Sequence, residues 1–400
     1  MNSVGKPERF TQKRIIELFV RKLGYDYLGD WSDRTDNSNL EEDLLKKYLH
    51  KAKVRPDLAS GAIQKLKVAI DNTSLGLYDR NQAVYQLLRY GIPVQTAAGV
   101  NNETVFLIDW KNPQNNEFGI AEEVTLLGNH ERRPDLVLYI NGIAVAVIEL
   151  KSSRVSVGEG IRQNISNQRP EFNEWFFSTV QLILAGNDSE GLQYGTILTP
   201  EKYFLKWKED EADNSGFKID KYLQKICSKE RLLELIYDFV LFDGGIKKIP
   251  RVHQYFGVKA AQDYVCKKQG GIIWHTQGSG KSIVMIFLAK WIMENLPNAR
   301  VAIITDRDEL DRQIQGFFAS ADIKMYRTSS GRDLMEKIGS GQHRLFCSLI
   351  HKFGLHGVDD FDAYLKELES QPVKVAGDLF IFVDECHRTN SGKLHRARHA

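Results

Sequence analysis

A chain of 400 residues, 42% hydrophobic and 26% charged, has the composition of ordinary soluble globular domains and enough length for two or three of them. Its formal net charge of +2 neither demands nor excludes nucleic acid, because positive potential can be confined to a single groove. The opening MNSVGKPERFTQKR lacks the apolar run of a signal peptide and no apolar stretch approaches a membrane span, so a cytoplasmic protein without a membrane partner is expected.

In TQKRIIELFVRKLGYDYLG (11 to 29), Ile15, Ile16, Leu18, Phe19 and Leu23 recur near helical spacing and Gly24 supplies a stop, which predicts an opening amphipathic helix. Ser38, followed three positions later by Glu41, has the pattern of a capping box and predicts a second helix beginning after Ser38. Strands are expected at 104–110, 135–140 and 143–150, then in FFSTVQLILAG and YGTILTP, which makes an α/β or α+β domain ending near residue 200. The charged KWKEDEADNSGFKID (206 to 220) reads as a surface loop or linker, and CSKERLLELIYDFVLFDGG as a helix ending at Gly244 and Gly245. From about residue 246 the order strand, Gly-rich loop, helix, strand, helix is that of a doubly wound parallel sheet. Four cysteines, Cys227, Cys266, Cys347 and Cys386, stand far apart without a C-x-x-C pair and are expected as reduced thiols.

GGIIWHTQGSGKSIVMIFLAKWI (270 to 292) places a short apolar strand before a Gly-Ser-Gly turn and an apolar helix after it. Successive N–H groups at such a turn cradle phosphates, Lys281 reaches the β/γ phosphates, and the Ser282 hydroxyl holds Mg²⁺. His275 occupies the place of the first glycine in the strict motif, and the set Thr276, Gly278, Ser279, Gly280, Lys281, Ser282 resembles the helicase form of the loop. DLFIFVDECH (378 to 387) is a buried strand ending in two acids, which suits Asp384 for Mg²⁺ through water and Glu385 for polarising the attacking water. These segments resemble superfamily 2 helicases, in which IPRVHQYFGVKAA corresponds to the adenine-reading segment, with Gln254 on the base edge. VAIITDRDELDRQI (301 to 314) resembles that superfamily's next motif, a strand then a helix.

RRPDLVLYINGIAVAVIELK (132 to 151) sets Asp135, Glu149 and Lys151 in strands otherwise apolar enough for burial. A two-residue Asn-Gly turn would face Ile140 with Ile143 and put Glu149 on the opposite side of the sheet from Asp135. A three-residue loop, Ile140-Asn141-Gly142, with Gly142 as a G1 bulge, places Asp135, Glu149 and Lys151 on one face, and this is the register expected. Two carboxylates about 5 Å apart at an effective dielectric near 20 repel by about 3 kcal/mol, which a divalent cation such as Mg²⁺ offsets. Lys151 would orient or activate the attacking water. The D-x₁₃-E-x-K spacing, with Pro134 before it, matches the PD-(D/E)xK nuclease pattern; taken alone it is equally met by a solvated or salt-bridged hairpin.

A nuclease of this kind followed by a superfamily 2 motor resembles the restriction (R) subunit of type I restriction-modification enzymes. The resemblance covers nearly the whole chain and is carried by QGGIIWHTQGSGKS, FIFVDECHRTNSG and, beyond the hairpin, GEGIRQNISNQ. There Gln163 matches the family glutamine, while Asn167 stands where the family places tyrosine. Glu41 resembles the acid on an early helix that completes the nuclease site in some members.

The resemblance implies a restriction-endonuclease-like α/β domain over 1–225 with a mixed central sheet flanked by helices. A linker (226–250) and a first RecA-like parallel-sheet ATPase domain (251–400) follow. It also implies ATP and Mg²⁺ as cofactors and double-stranded DNA as substrate, in a bacterial or archaeal cytoplasm. The implied partners are methyltransferase and specificity subunits, with S-adenosylmethionine belonging to the methyltransferase. With only 13 residues after His387, the second RecA-like domain is expected to be missing, so this chain alone should not translocate. Two alternatives stand beside this reading: a helicase or repair translocase whose nuclease-like domain has another role, and a non-catalytic DNA-binding assembly subunit.

Overall fold

The structure is a computed structural model that describes residues 8–96, 99, 101–128, 130–210, 216–305, 312, 314–316, 318, 324–349 and 377–384. The chain divides into two compact units, Met1–Val252 and His253–Ala400. Among the described residues no helix is long and apolar enough to cross a membrane.

The first unit opens with helix α1 (Glu8–Leu18), a π turn (Phe19–Leu23) and strand β1 (Asp26–Asp30). Gly24 ends the turn in the left-handed region (φ 68°), its N–H donating to Phe19 O, so the expected stop is observed. Helices α2 (Glu42–Lys51), α3 (Pro56–Ile70) and α4 (Leu77–Tyr90) follow, then the small hairpin of β2 (Ile92–Val94) and β3 (Glu103–Val105). α2 begins at Glu42 rather than directly after Ser38. Half of the expected capping box is present, since Glu41 Oε1 accepts from Ser38 N at 3.3 Å, but Ser38 Oγ takes the N–H of Leu40 instead of that of Glu41.

The core is a seven-stranded mixed sheet. It is built from β1, β4 (Phe118–Glu122), β5 (Leu136–Ile140), β6 (Ile143–Leu150), β7 (Leu182–Asn187), β8 (Gly191–Gly195) and β9 (Leu205–Lys206) in that order. β1 runs parallel to β4 and β6 parallel to β7, while the remaining neighbours are antiparallel. Every residue of β5 and β6 is buried, as their near-continuous apolar sequence requires of central strands. Helix α5 (Val157–Asn167) covers one face, with Val157 and Ile161 joining Val137, Tyr139, Val147, Ile183 and Ala185 in a single cluster.

Residues 226–250 are not a linker. Helices α6 (Lys218–Ile226) and α7 (Lys229–Asp238) and the hairpin of β10 (Leu241–Asp243) and β11 (Ile246–Lys248) belong to the first unit. The α7 helix stops at Asp238, and Gly244-Gly245, both at positive φ, turn the hairpin rather than cap the helix. Hydrogen bonds fasten this segment to α4: Tyr85 Oη donates to Ile236 O (2.9 Å, buried) and Arg89 Nε to Tyr237 O (2.7 Å, partly buried). Lys247 Nζ donates to Asn81 Oδ1 (2.8 Å) and Gln181 Oε1 (2.6 Å), and burial lowers its pKa well below the usual lysine range. Within the charged stretch 206–220, Trp207 is fully buried, so its start is core rather than loop.

The second unit contains α8 (Val252–Cys266), α9 (Lys281–Asn295), β12 (Ala299–Thr305), β13 (Met325–Arg327), the helix Gly331–Ser340, β14 (Leu345–Leu349) and β15 (Asp378–Val383). The four strands form an all-parallel sheet in the order β13-β14-β12-β15. The strand expected ahead of the Gly-Ser-Gly turn is absent: residues 271–276 are irregular, with Ile272 71% and Trp274 82% exposed. An apolar run forms a strand only with a partner edge, and none of the described strands pairs with it.

Candidate active site

The hairpin turn is two residues long, contrary to the expected three-residue loop. Asn141 (φ 51°) and Gly142 (φ 83°) both lie in the left-handed region, as a type I′ turn demands, and Ile140 faces Ile143. Asn141 is fully buried: its Oδ1 accepts from Glu117 N (2.7 Å) while its Nδ2 donates to Leu107 O (2.9 Å) and Asn116 Oδ1 (2.8 Å). A Cβ at Gly142 would stand 2.5 Å from Glu41 O, so only glycine fits there.

A two-residue turn alone would separate Asp135 from Glu149, but a bulge corrects the register. Tyr139 pairs with Ala144 and Leu138 with Ala146, which leaves Val145 as an extra residue on β6. The bulge sits where β6 changes its outer neighbour. Ala144 N donates to Asn39 O at 2.9 Å, whereas Val145 O accepts from Gln181 N at 2.8 Å at the entrance to β7. Beyond it, Leu136 faces Ile148, and the next residues, Asp135 and Glu149, share the face of Val137 and Val147.

Asp135 and Glu149 are 8% and 0% exposed. Asp135 Oδ2 accepts from Leu150 N at 2.6 Å, while neither Glu149 carboxylate oxygen has a hydrogen-bond partner. Burial pushes the Asp135 carboxyl up to about 6, with Glu8 adding to the rise and the Leu150 N–H and Lys151 opposing it. Burial first, and then the neighbouring Asp135 charge, hold Glu149 well above the usual carboxylate range. Lys151 Nζ lies 3.8 Å from Glu149 Oε2 and 3.6 Å from Glu8 Oε1, and donates to Leu150 O at 2.9 Å.

Glu41 is not part of this cluster. Its backbone N–H donates to Gly142 O, at the turn end of the hairpin, six β6 residues and about 20 Å from Glu149. Its carboxylate binds Arg34 Nη2 at 2.6 Å. The acid on an early helix that does reach the cluster is Glu8, at the start of α1. Sequence reading began that helix at residue 11. The available signal was the spacing of Glu8 and Gln12, four apart on one helix face, where Gln12 is buried and donates to Glu122 and Glu123 at 3.0 Å each. Gly160 of α5 lies over the site, where a Cβ would be in ordinary van der Waals contact with Glu149 Cβ (3.4 Å) and Lys151 Cγ (3.5 Å). Gln163 stands one helical turn further along α5, half-buried, and Asn167 is fully buried with both side-chain polar atoms unpartnered.

Among the described residues no group of three or more His, Cys, Asp or Glu side chains is placed to hold a metal ion. The pair Asp135 and Glu149 nevertheless fits a hard divalent cation that keeps several waters, because two carboxylates face one another and Glu149 offers two unclaimed oxygens.

In the second unit, Gly278 (φ 75°) and Gly280 (φ 83°) shape the turn ahead of α9, and Ser279 Oγ donates to Thr276 O at 2.6 Å. Lys281 and Ser282 open α9, with their N–H groups at its positive end. The short connection from α9 back to β12 puts the helix start at the edge of the sheet where parallel strands end. Asp384 directly follows β15 on that edge, buried, with its N–H on Ile304 O at 2.9 Å. Gln254 is buried and its Nε2 donates to Ser279 O (2.9 Å) and Gly280 O (3.2 Å), so its amide nitrogen grips the turn. Glu385 lies outside the described residues, as does most of 306–313.

A mixed-sheet nuclease-like fold joined to a parallel-sheet, phosphate-loop ATPase fold defines the class of the chain. Residues 6–202 match the family model of the type I restriction enzyme R protein N terminus, and residues 253–399 match that of the SWI2/SNF2 ATPase. The putative type I restriction enzyme MjaIXP endonuclease subunit of Methanocaldococcus jannaschii is 28% identical over 94% of this chain and 39% of its own length. The type I restriction enzyme HindI endonuclease subunit of Haemophilus influenzae is 29% identical over 86% of this chain and 35% of its own. A second M. jannaschii protein, the putative MjaVIIIP endonuclease subunit, is 26% identical over 100% of this chain and 41% of its own. The chain belongs to the type I restriction enzyme R protein family. It spans about two fifths of the length of these relatives.

Proposed function

We propose that this chain supplies the nuclease and first motor unit of the restriction subunit of a type I restriction enzyme. In this reading the protein couples ATP-driven movement of double-stranded DNA to cleavage of unmethylated duplex away from the recognition site. Methyltransferase and specificity subunits supply recognition, which agrees with a chain whose mild charge suits gripping phosphates rather than reading bases.

The observation that supports the nuclease role best is the buried Asp135 and Glu149 pair, with two carboxylate oxygens unclaimed and an ammonium 3.8 Å away. Asp135 and Glu149 would hold Mg²⁺, which when bound offsets their repulsion and polarises a water against the scissile phosphate. Lys151 stabilises charge on that phosphate and orients the water, while Glu8 and the Leu150 carbonyl hold its ammonium toward the cluster. Gln163 serves as a further contact from α5. In the second unit the turn Thr276–Gly280 and the start of α9 bind the ATP phosphates, Lys281 neutralises them, and Ser282 and Asp384 would hold the accompanying Mg²⁺. Glu385 polarises the water that attacks the γ-phosphate.

The test is Mg²⁺- and ATP-dependent cleavage of unmethylated DNA by the complete protein with its methyltransferase partner. Asp135→Ala is expected to abolish cleavage while ATP turnover continues, and Lys281→Ala to abolish both. Normal cutting by Asp135→Ala would remove the nuclease assignment, and undiminished ATP turnover by Lys281→Ala the motor assignment.

A further inference from the structure

We propose that His253 is a positioning residue that aims a backbone N–H of the phosphate loop at the nucleotide; this rests on the ATP-binding reading of the second unit. Peptide geometry carries the inference. In a trans peptide the C=O and the following N–H point in opposite directions, so fixing one fixes the other. The carbonyl of Ser279 shares its peptide with the N–H of Gly280, and the carbonyl of Gly280 shares its peptide with the N–H of Lys281. A loop that cradles phosphate must turn those N–H groups outward, so its carbonyls must be held on the rear side.

The first turn of α8 does this. His253 Nε2 lies 3.0 Å from Ser279 O, and because a carbonyl only accepts, Nε2 carries the proton. Gln254 Nε2 donates to the same oxygen at 2.9 Å and to Gly280 O at 3.2 Å. Ser279 is itself buried, so its carbonyl exchanges these bonds for no easy supply of water. A Cβ at Gly280 would come 2.3 Å from Gln254 Nε2, which shows how closely α8 backs the turn. The His253 ring is held in its orientation by His275, which meets it edge-on at 5.1 Å and 86°. The His275 ring in turn lies over Gly257 of α8, where a Cβ would be 3.1 Å from its Cε1. His275 therefore fills the place of the strict motif's first glycine with a group that braces α8 against the loop. Without a strand ahead of the loop, these contacts join the Ser279–Thr276 turn and the first turn of α9, whose Ile283 N–H donates to Gly280 O at 3.1 Å, in orienting it.

His253→Phe keeps the ring and its packing on His275 but removes the donor; His253→Gln restores a nitrogen donor of similar reach. Binding of ATP and of adenosine is measured by competition against a fluorescent ATP analogue on the whole chain, with melting midpoints as a check on folding. The expected result for His253→Phe is about tenfold weaker ATP binding, the scale of one misdirected charge-assisted hydrogen bond, with adenosine binding within about twofold of wild type. His253→Gln should return ATP affinity to within about threefold of wild type. If the Phe variant melts early, the Gln variant against His253→Leu carries the same comparison.

Unchanged ATP affinity in the donor-less variant, an equal loss for adenosine, or no recovery with Gln overturns the proposal. Lys281→Ala separates the two levels. If wild type and Lys281→Ala bind ATP alike, the phosphate-loop reading fails and His253 falls with it; if Lys281→Ala loses ATP while His253→Phe does not, only His253 falls.

Discussion

Replacing Asp135 with Asn tests whether this carboxylate is held ionisable against the cost of its burial beside Glu149. Asn is nearly isosteric and keeps an oxygen for the Leu150 N–H, which now reaches Asp135 Oδ2 at 2.6 Å. Its amide also offers a donor to the unpartnered Glu149 oxygens. A carboxyl moved from 3.8 to about 6 destabilises the fold by about 3 kcal/mol once ionised, at roughly 1.4 kcal/mol per pH unit. The folded group binds its proton more tightly than the unfolded one. The penalty is therefore absent below the unfolded value of 3.8, grows as pH rises, and is complete above about 6.

Scanning calorimetry in chelator at pH 8 should show the first unit of Asp135→Asn melting about 6–12 °C higher than wild type, taking 2–4 °C per kcal/mol for a unit of this size. At pH 5 about half of that difference should remain, and the two proteins should converge only below the unfolded value of 3.8. Excess Mg²⁺ should raise the wild-type midpoint and leave the Asn variant nearly unmoved, since binding to the native state alone stabilises it. A gain of under about 2 °C at pH 8, or one equally large at pH 5, would falsify the claim that Asp135 is a strained, ion-ready carboxylate.

Glu8→Gln removes a charge that raises the Asp135 carboxyl, so the stability that chelated protein loses as pH rises from 3.8 should be smaller and the loss complete at a lower pH than about 6, measured by calorimetry across pH 4–8. An unshifted profile would mean Glu8 is not felt at the site. Gly142→Ala places a side chain at φ 83° and 2.5 Å from Glu41 O, and should destabilise the first unit by about 2 kcal/mol or more in chemical denaturation.

By itself the sequence determined the division into a nuclease-like and an ATPase-like part. It did so because D-x₁₃-E-x-K and T-x-G-S-G-K-S are local spacings whose chemistry depends on a hairpin or a turn, and it named Asp135, Glu149 and Lys151 as a group. Their shared face depended on register, which local residues leave open: Asn-Gly correctly specifies a tight turn, and taken alone that turn would have separated the acids. What brings them together is the bulge at Val145, set where β6 passes from the Asn39 segment to β7, two neighbours remote in the chain. Glu41 and Glu8 show the same limit, since each is an acid near the start of an early helix. Only the packing of α1 beside the end of β6 and of α2 beside the hairpin turn decides which one meets Lys151. Likewise the apolar residues ahead of Gly278 have strand character, but strand formation needs a partner edge, and in its absence α8 orients the loop through His253 and Gln254. Residue types and short spacings are written locally; register, facing and support come from segments far apart in sequence, and only the folded chain brings those together.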